Sequence, residues 1–253
     1  MDKRPKIILN IATHGDEKIG LKVATAIKKL NLKKGEVIVN IANERAFKLN
    51  KRFIHQDLNR SFPGKKTGNY EEKRAYKLLP IIKSADIVID IHSTTSELTD
   101  SLIVTKDNET TRKYIKIIAP KYALIMKATK NNALISNAKV GLAFEYGKDR
   151  DTKVLRKIVV GIKRLLIHLN MLEPYSKKRL YSKTTFFIIY TTIPKPKGAM
   201  LIGSIKNYKL IRANQVYAKV KNVEIKADKN FYPILFGNKN YEEIFGFGAS
   251  KIA

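Results

Sequence analysis

The chain has 253 residues, 44% of them apolar, enough to bury one sizeable core and a smaller appended unit. It contains no cysteine, which excludes disulfides, thiolate nucleophiles and cysteine-ligated metal sites and leaves any metal chemistry to His, Asp and Glu. The formal net charge of +28 is spread along the chain, +17 up to residue 173 and +11 beyond it, so it reads as the Lys- and Ile-rich bias of a thermophile or an AT-rich genome rather than as a nucleic-acid-binding arm, with a field that draws in small anions.

The N-terminal segment MDKRPKIILNIATHGDE has an apolar run of about six residues, too short for a signal sequence. No stretch approaches the roughly 20 apolar residues that span a membrane, and a soluble cytoplasmic protein is expected. Lys6 to Ala12 reads as a strand buried on both faces. Ile19, Val23, Ala26, Ile27 and Leu30 recur at three- and four-residue spacing and predict a helix, after which GEVIVNIA returns as a strand. Residues 43–68, polar and basic with Pro63, Gly64 and Gly68, are expected as one long loop. Asn69 followed by Glu72 is the signature of a capping box that opens a helix to about Ser84. ADIVIDIH, SLIVT, YALIMKA and GLAFEY are further strands, with helices predicted from Asp107 to about Ala119 and from Asp151 to Leu172.

This alternation describes an α/β domain with a mostly parallel sheet over residues 1–173. After Pro174 come TTFFIIYTTI, AMLIGSI, QVYAKV, VEIKA and FYPILF, short β-branched or aromatic runs divided by Pro, Gly and Asn. They predict a small β domain over residues 174–253.

Ligand crevices in open α/β sheets lie outside the carboxyl ends of the strands, so polar residues there are the first candidates for chemistry. His14 ends the first strand, with Glu17 three residues later; His92 ends the strand that begins at Asp86. Singly, each histidine also reads as a satisfied polar residue, and Glu17 as a helix-start acid. Together, two strand-end imidazoles and one carboxylate match a catalytic zinc set of three protein ligands and one open position. Asp90, two residues before His92, is placed to accept its second ring N–H. The other histidines, His55 in the long loop and His168 in the last helix, lie outside this set.

In the loop KRFIHQDLNRSFPG, Arg52, Asn59 and Arg60 place two guanidinium forks and an amide, with Asp57 able to hold a guanidinium; it reads as a carboxylate-binding loop or as a solvated basic one. Glu145 falls at the end of the apolar run GLAFEY. It reads either as a buried carboxyl with the raised pKa of a general base or as a strand-end residue facing water.

Taken in order, HGDE, RFIHQDLNR, DIHSTT and FEYG resemble the signature of the succinylglutamate desuccinylase/aspartoacylase family, a branch of the zinc-carboxypeptidase clan. NFYPILF followed by NYEE extends the resemblance into the β-rich tail. It implies a zinc-carboxypeptidase-like three-layer domain followed by a small C-terminal β domain that narrows the active-site mouth. It implies one Zn²⁺ per chain, held by His14, Glu17 and His92, with Glu145 activating water. Arg52 is implied to polarise the scissile carbonyl, and Asn59 and Arg60 to hold a substrate carboxylate.

Two positions depart from the aspartoacylase pattern. Ile135 stands where a substrate-binding arginine precedes the catalytic glutamate by ten residues, so N-acetylaspartate is expected to be a poor substrate unless Lys130 replaces the contact. The family's tail tyrosine falls on Asn240 or Tyr241. The expected activity is deacylation of a small carboxylate-bearing N-acyl amino acid; the rivals are a metallocarboxypeptidase acting on peptides and a non-catalytic anion- or RNA-binding protein that kept the fold. No membrane or nucleic-acid partner is expected, and assembly into a homo-oligomer is left open.

Overall fold

In a computed structural model of the chain, residues 4–94, 98, 100–128, 132–174 and 183–252 are described. The apolar runs become inner strands. In β1 (Lys6–Ile11) all but the first residue is buried, and in β3 (Ile87–His92) every residue is. Strand β1 lies between β2 (Glu36–Ile41) and β3, and β3 pairs with β6 (Val140–Glu145), all in parallel. Beyond β6 the sheet continues through β4 (Ser101–Val104), antiparallel to it, and then through β5 (Tyr122–Met126), parallel to β4.

Helices cover both faces of this sheet. On one, α1 (Ile19–Lys28), α4 (Glu109–Ile118) and α5 (Thr152–His168) bury Ile19, Val23, Ile115, Ile158 and Leu165 against the strands. On the other lies α3 (Tyr70–Ser84), whose Ala75, Leu78 and Ile82 pack with Ile8, Val88 and Ala143. The result is the expected three-layer α/β arrangement. The capping box is formed: Asn69 Oδ1 accepts from Glu72 N at 3.1 Å, and Glu72 Oε2 from Asn69 N at 2.9 Å. No helix among the described residues is long and apolar enough to cross a membrane.

Residues beyond 173 divide between two sheets. Strand β7 (Thr185–Pro194) pairs in parallel with β5 and extends the large sheet. The strands β8 (Met200–Leu201), β9 (Val216–Val220) and β10 (Val223–Lys226) form a separate three-stranded sheet. Next, β11 (Tyr232–Ile234) and β12 (Ile244–Ile252) return to the edge of the first, giving it nine strands among the described residues. Strand β12 is not legible as a strand because Gly246 and Gly248 interrupt its apolar pattern. Gly246 sits at φ +148° beside a register shift, and a Cβ there would lie 2.6 Å from the Leu235 carbonyl oxygen, so the strand needs a residue that the pattern reads as a breaker.

The expected loop over 43–68 contains α2 (Glu44–Lys48), capped by the Asn43 side chain, and a 3-10 turn at Leu58–Arg60. A second 3-10 turn spans Leu134–Asn137. Elements this short complete too few turns to show a period. The last helix stops at His168 rather than running to Leu172, and Asn170 then takes a left-handed φ of +55°. His168 is exposed at that end, edge-on to Tyr114 at 6.2 Å.

Asn69→Ala removes the side-chain acceptor of the capping box while leaving the packed face of α3 intact. Chemical denaturation should show a loss of about 1 kcal/mol with an unchanged denaturant slope.

Candidate active site

Three neighbouring strands end at one point. His14 follows β1, His92 closes β3 and Glu145 closes β6, with His92 and Glu145 opposite one another in the register. Ala12, at a left-handed φ of +54°, turns the chain out of β1. Gly15 then lies so close to α2 that a Cβ would stand 2.2 Å from the Ala46 carbonyl carbon, and its N–H donates to Arg52 O at 3.1 Å. Within this turn Glu17 N donates to His14 O at 3.1 Å, which folds the Glu17 carboxylate back over the imidazole.

Both ring Nδ1 atoms converge on that carboxylate. His14 Nδ1 lies 2.7 Å from Glu17 Oε1 and His92 Nδ1 lies 3.0 Å from Oε2, where Ser93 N also donates at 3.1 Å. The three side chains are buried, and their candidate ligand atoms all fall within 4.8 Å of one another. The outer ring nitrogens face carboxylates. His92 Nε2 donates to Asp90 Oδ2 at 2.9 Å, while Thr13 Oγ1 donates to the other Asp90 oxygen at 2.7 Å. His14 Nε2 meets Asp57 Oδ1 at 3.1 Å. A ring that gives its Nε2 proton to a carboxylate turns its Nδ1 lone pair inward, so two imidazoles and one carboxylate fit a divalent cation of borderline softness.

Asp57, expected to hold a guanidinium, meets His14 Nε2 and accepts from Asn59 N at 2.8 Å; Arg60 and Arg52 act on it through their charge, with no ion pair to either within 4.0 Å among the described residues. A short helical turn starts at Leu58, and Asp57 is drawn to its open N–H groups.

Burial by itself would lower the His14 pKa, but Glu17 and Asp57 raise it to about 9. His92 is likewise raised well above its ordinary value against its burial, by Asp90 and Glu17. Glu17, which burial would push up, is held far below the usual carboxylate range by the two imidazoles. Asp57 is also depressed despite its burial, by His14. Glu145 goes the other way: burial pushes it up to about 7, and its Oε2 has no hydrogen-bond partner. The Glu145 side chain is half-buried, with Oε2 closed off from solvent.

The loop that carries Arg52 and Asp57 is organised by a residue that sequence reasoning missed. Glu71 is fully buried and accepts from Ile54 N at 2.7 Å, His55 N at 3.0 Å, Gln56 N at 3.5 Å and Asn43 Nδ2 at 3.3 Å. In the sequence it is one of two acids in the first turn of α3, and nothing marks it as buried. Arg52 reaches back so that Nη1 lies 3.4 Å from Glu17 Oε1 and Nη2 lies 3.1 Å from His14 Nε2. The Asn59 amide oxygen accepts from Leu134 N at 2.9 Å, which leaves its amide hydrogens as the group able to meet a ligand. Arg60 is exposed and donates to the carbonyl of Asn59 at 2.9 Å.

A cavity of about 520 Å³ opens over the cluster, lined by Glu17, Arg52, Glu145 and Tyr241 among others. Asn240 and Tyr241 both reach it; Asn240 is tied to the Leu235 carbonyl at 3.0 Å. Burial, with the charge of Glu145 added, pushes the Tyr241 hydroxyl well up. Ile135 does not line this cavity: it is 3% exposed, packed in the core under α3, and Lys130 lies outside the described residues. Lys148 and Arg150, in the turn after β6, do line it. Their place just past a strand end was the available signal, and sequence reasoning passed over it.

Residues 3–168 match the family model of the succinylglutamate desuccinylase/aspartoacylase catalytic domain, and the chain belongs to that family. The "Probable aspartoacylase" of Nostoc sp. is 26% identical over 213 residues, 75% of this chain and 71% of that protein. The "N-alpha-acetyl-L-2,4-diaminobutyric acid deacetylase" of Halomonas elongata is 28% identical over 192 residues, 67% of this chain and 56% of that protein. The crystal structure of murine aminoacylase 3 superposes with a TM-score of 0.81 over 100% of this chain and 97% of its own, at 17% identity, a likeness of fold.

In the metal-free protein these shifts make stability depend on pH. With its folded pKa raised to about 9 from 6.5, His14 contributes stability that is complete below about 6.5 and is lost as pH rises through 9. Glu17 and Asp57, depressed, contribute above their ordinary values and lose it in acid. Glu145, raised from 4.5 to about 7, loses stability over that interval, so melting in a chelator should be highest near pH 5 and fall further, on the order of 2 kcal/mol or roughly 4–8 °C, between pH 6.5 and 9. A divalent ion displaces the same protons, so the stabilisation it gives should grow across that interval. A flat chelated profile would contradict the charge assignments.

Proposed function

We propose that the protein is a zinc-dependent hydrolase that cleaves the amide bond of a small N-acyl amino acid bearing at least one carboxylate. The observation that carries this reading is the buried cluster of His14, Glu17 and His92, with the partnerless Glu145 Oε2 in the same cavity. The names of the Nostoc and Halomonas relatives, an aspartoacylase and a deacetylase, support it.

His14, Glu17 and His92 hold the ion, with Asp57 and Asp90 orienting the two rings through their outer nitrogens. When bound, zinc polarises an amide carbonyl and brings the pKa of water toward ~7. Glu145, with a pKa of about 7, takes the proton from the attacking water and delivers it to the leaving amine. Arg52 lies against the cluster with its guanidinium open to the cavity, where it meets the negative charge that grows on the carbonyl oxygen. Arg60 and the Asn59 amide hydrogens, next in the chain to the His14 partner Asp57, are assigned to orienting a substrate carboxylate.

The carboxypeptidase alternative needs a mouth open to a peptide. Leu235, Asn240 and Tyr241, all from the segment after residue 173, instead form part of the cavity wall, which favours a small substrate. The small-anion preference accords with the net charge of +28.

The purified enzyme should hold about one equivalent of zinc and release free amine from a panel of N-acyl amino acids. Glu145→Gln should keep the metal and lose ~10² to 10⁴-fold in turnover. If Glu145→Gln loses the metal, Glu145 is a ligand and the roles are wrong. If the zinc-loaded parent hydrolyses no member of the panel, the proposed reaction fails.

A further inference from the structure

Helix α1 follows directly on the turn that carries His14 and Glu17, and it has no cap of its own. Lys18 stands at its N-cap without a side-chain cap bond, and its first turn contains no acidic residue. The neighbouring carboxylate is already engaged, because Glu17 lies between the two imidazoles. The Lys18 ammonium points back to Gly15 O at 2.7 Å. The first N–H groups of a helix are open donors carrying partial positive charge, so they need an acceptor from elsewhere.

That acceptor is Asp149, 131 residues further along the chain from Lys18. Asp149 Oδ1 accepts from Ile19 N at 2.9 Å, and each of its two oxygens lies 3.1 Å from Lys18 N. Asp149 belongs to the turn after β6, the strand that ends in Glu145. The turn is anchored on its far side independently of α1: Lys148 O accepts from Asp151 N at 3.2 Å, and Asp151 caps α5 by accepting from Lys153 N at 2.8 Å. It is also tied to the segment after β3. Gly147, at φ +135°, accepts at its carbonyl from Thr94 N at 3.0 Å, and the residue before Thr94 is Ser93, whose N–H donates to Glu17. One turn, continuous with the strand of Glu145, thus bonds to the chain just after Glu17 and to the chain just after His92.

We propose that Asp149 is a positioning residue for the metal seat: by capping α1 across the site, it holds Glu17 between the two imidazoles and in fixed relation to Glu145. The role of Glu17 as a ligand rests on the function proposed above. His14 is fixed by β1 and by its contact with Asp57, and His92 by β3 and Asp90. Glu17 has no strand beneath it. If the first turn of α1 frays, the backbone on its C-terminal side is released, and the seat keeps its rings but loses its carboxylate. An ion must then order that carboxylate as it binds, which weakens affinity without changing the donor set.

The test compares the parent with Asp149→Ala in two readouts, amide hydrogen exchange in the metal-free protein and zinc affinity measured by competition with a chromophoric chelator. The Glu17 and Ser93 amides, neither of which bonds to Asp149, should exchange about tenfold faster or more in the variant. Zinc should bind about tenfold more weakly. Asp149→Asn keeps an oxygen that can accept both N–H groups and should hold zinc affinity within about threefold of the parent. Asn108→Ala, which removes the cap of α4, should lower the melting temperature comparably, roughly 2–4 °C, and leave both readouts unchanged. If the alanine protein does not fold, Asp149→Glu, which displaces the acceptor by one methylene, takes its place under the same criteria. Faster exchange at Lys18 and Ile19 alone, with Glu17, Ser93 and zinc affinity unchanged, makes Asp149 an ordinary helix cap and overturns the inference, leaving the metal reading in place. Equal effects from Asn108→Ala assign the change to global stability and overturn it too. A parent that binds no zinc, with Glu17 and Ser93 still loosened in Asp149→Ala, overturns the metal reading and leaves the positioning role standing.

Discussion

The Glu17 carboxylate, shared between the Nδ1 atoms of two buried imidazoles, is the interaction on which the rest of the site depends. Burial disfavours the charge on all three groups, and each is kept charged by its partners, Glu17 by the two rings and the rings by Glu17 together with Asp57 and Asp90. The arrangement needs positive charge at its centre, supplied by two protons in the metal-free state or by one divalent ion. It also needs acceptors on the outer nitrogens, and Asp57 and Asp90 supply them. Had either outer carboxylate been absent, its ring would have been free to present a proton instead of a lone pair to the centre.

The fold brings these groups together by means that serve no other purpose as plainly. Adjacent parallel strands end side by side, which sets His92 and Glu145 in register with no loop between them. His14 has to be carried one turn further, and that turn is possible because Ala12 accepts a left-handed backbone and Gly15 has no side chain to strike α2. The long connection after β2 has no sheet partner to hold it. Its anchor is the buried Glu71, which takes three successive backbone N–H groups and so fixes the path between Arg52 and Asp57.

The large elements were legible because their apolar residues repeat with periods that only one secondary structure satisfies, as in ADIVIDIH and in the stripe of α1. The cluster of His14, Glu17 and His92 was legible for a related reason: polar residues that close apolar strands have few structural excuses. What stayed hidden depends on contacts distant in sequence. Glu71 looks like any acid at a helix start until the loop folds onto it. Asp57 could be assigned an outer role but not a partner, because its distance to His14 is set by how β1 and the loop after β2 come together. Strand β12 was concealed by the glycines that let it bend, and Lys148 and Arg150 by lying in a turn that reads as an ordinary solvated one. Ile135 marks the converse case. A position inferred by ungapped counting from Glu145 proved to belong to the core and says nothing direct about the cavity.

The central claim, that the carboxylate between the two imidazoles is a metal seat, is tested most directly by diffraction from crystals grown with zinc, with data collected on both sides of its absorption edge. The account predicts one strong anomalous peak per chain, within bonding distance of His14 Nδ1, His92 Nδ1 and Glu17 at ~2.0–2.2 Å. Zinc found instead at His55 or His168, with Glu17 still bridging two protonated rings, would contradict it.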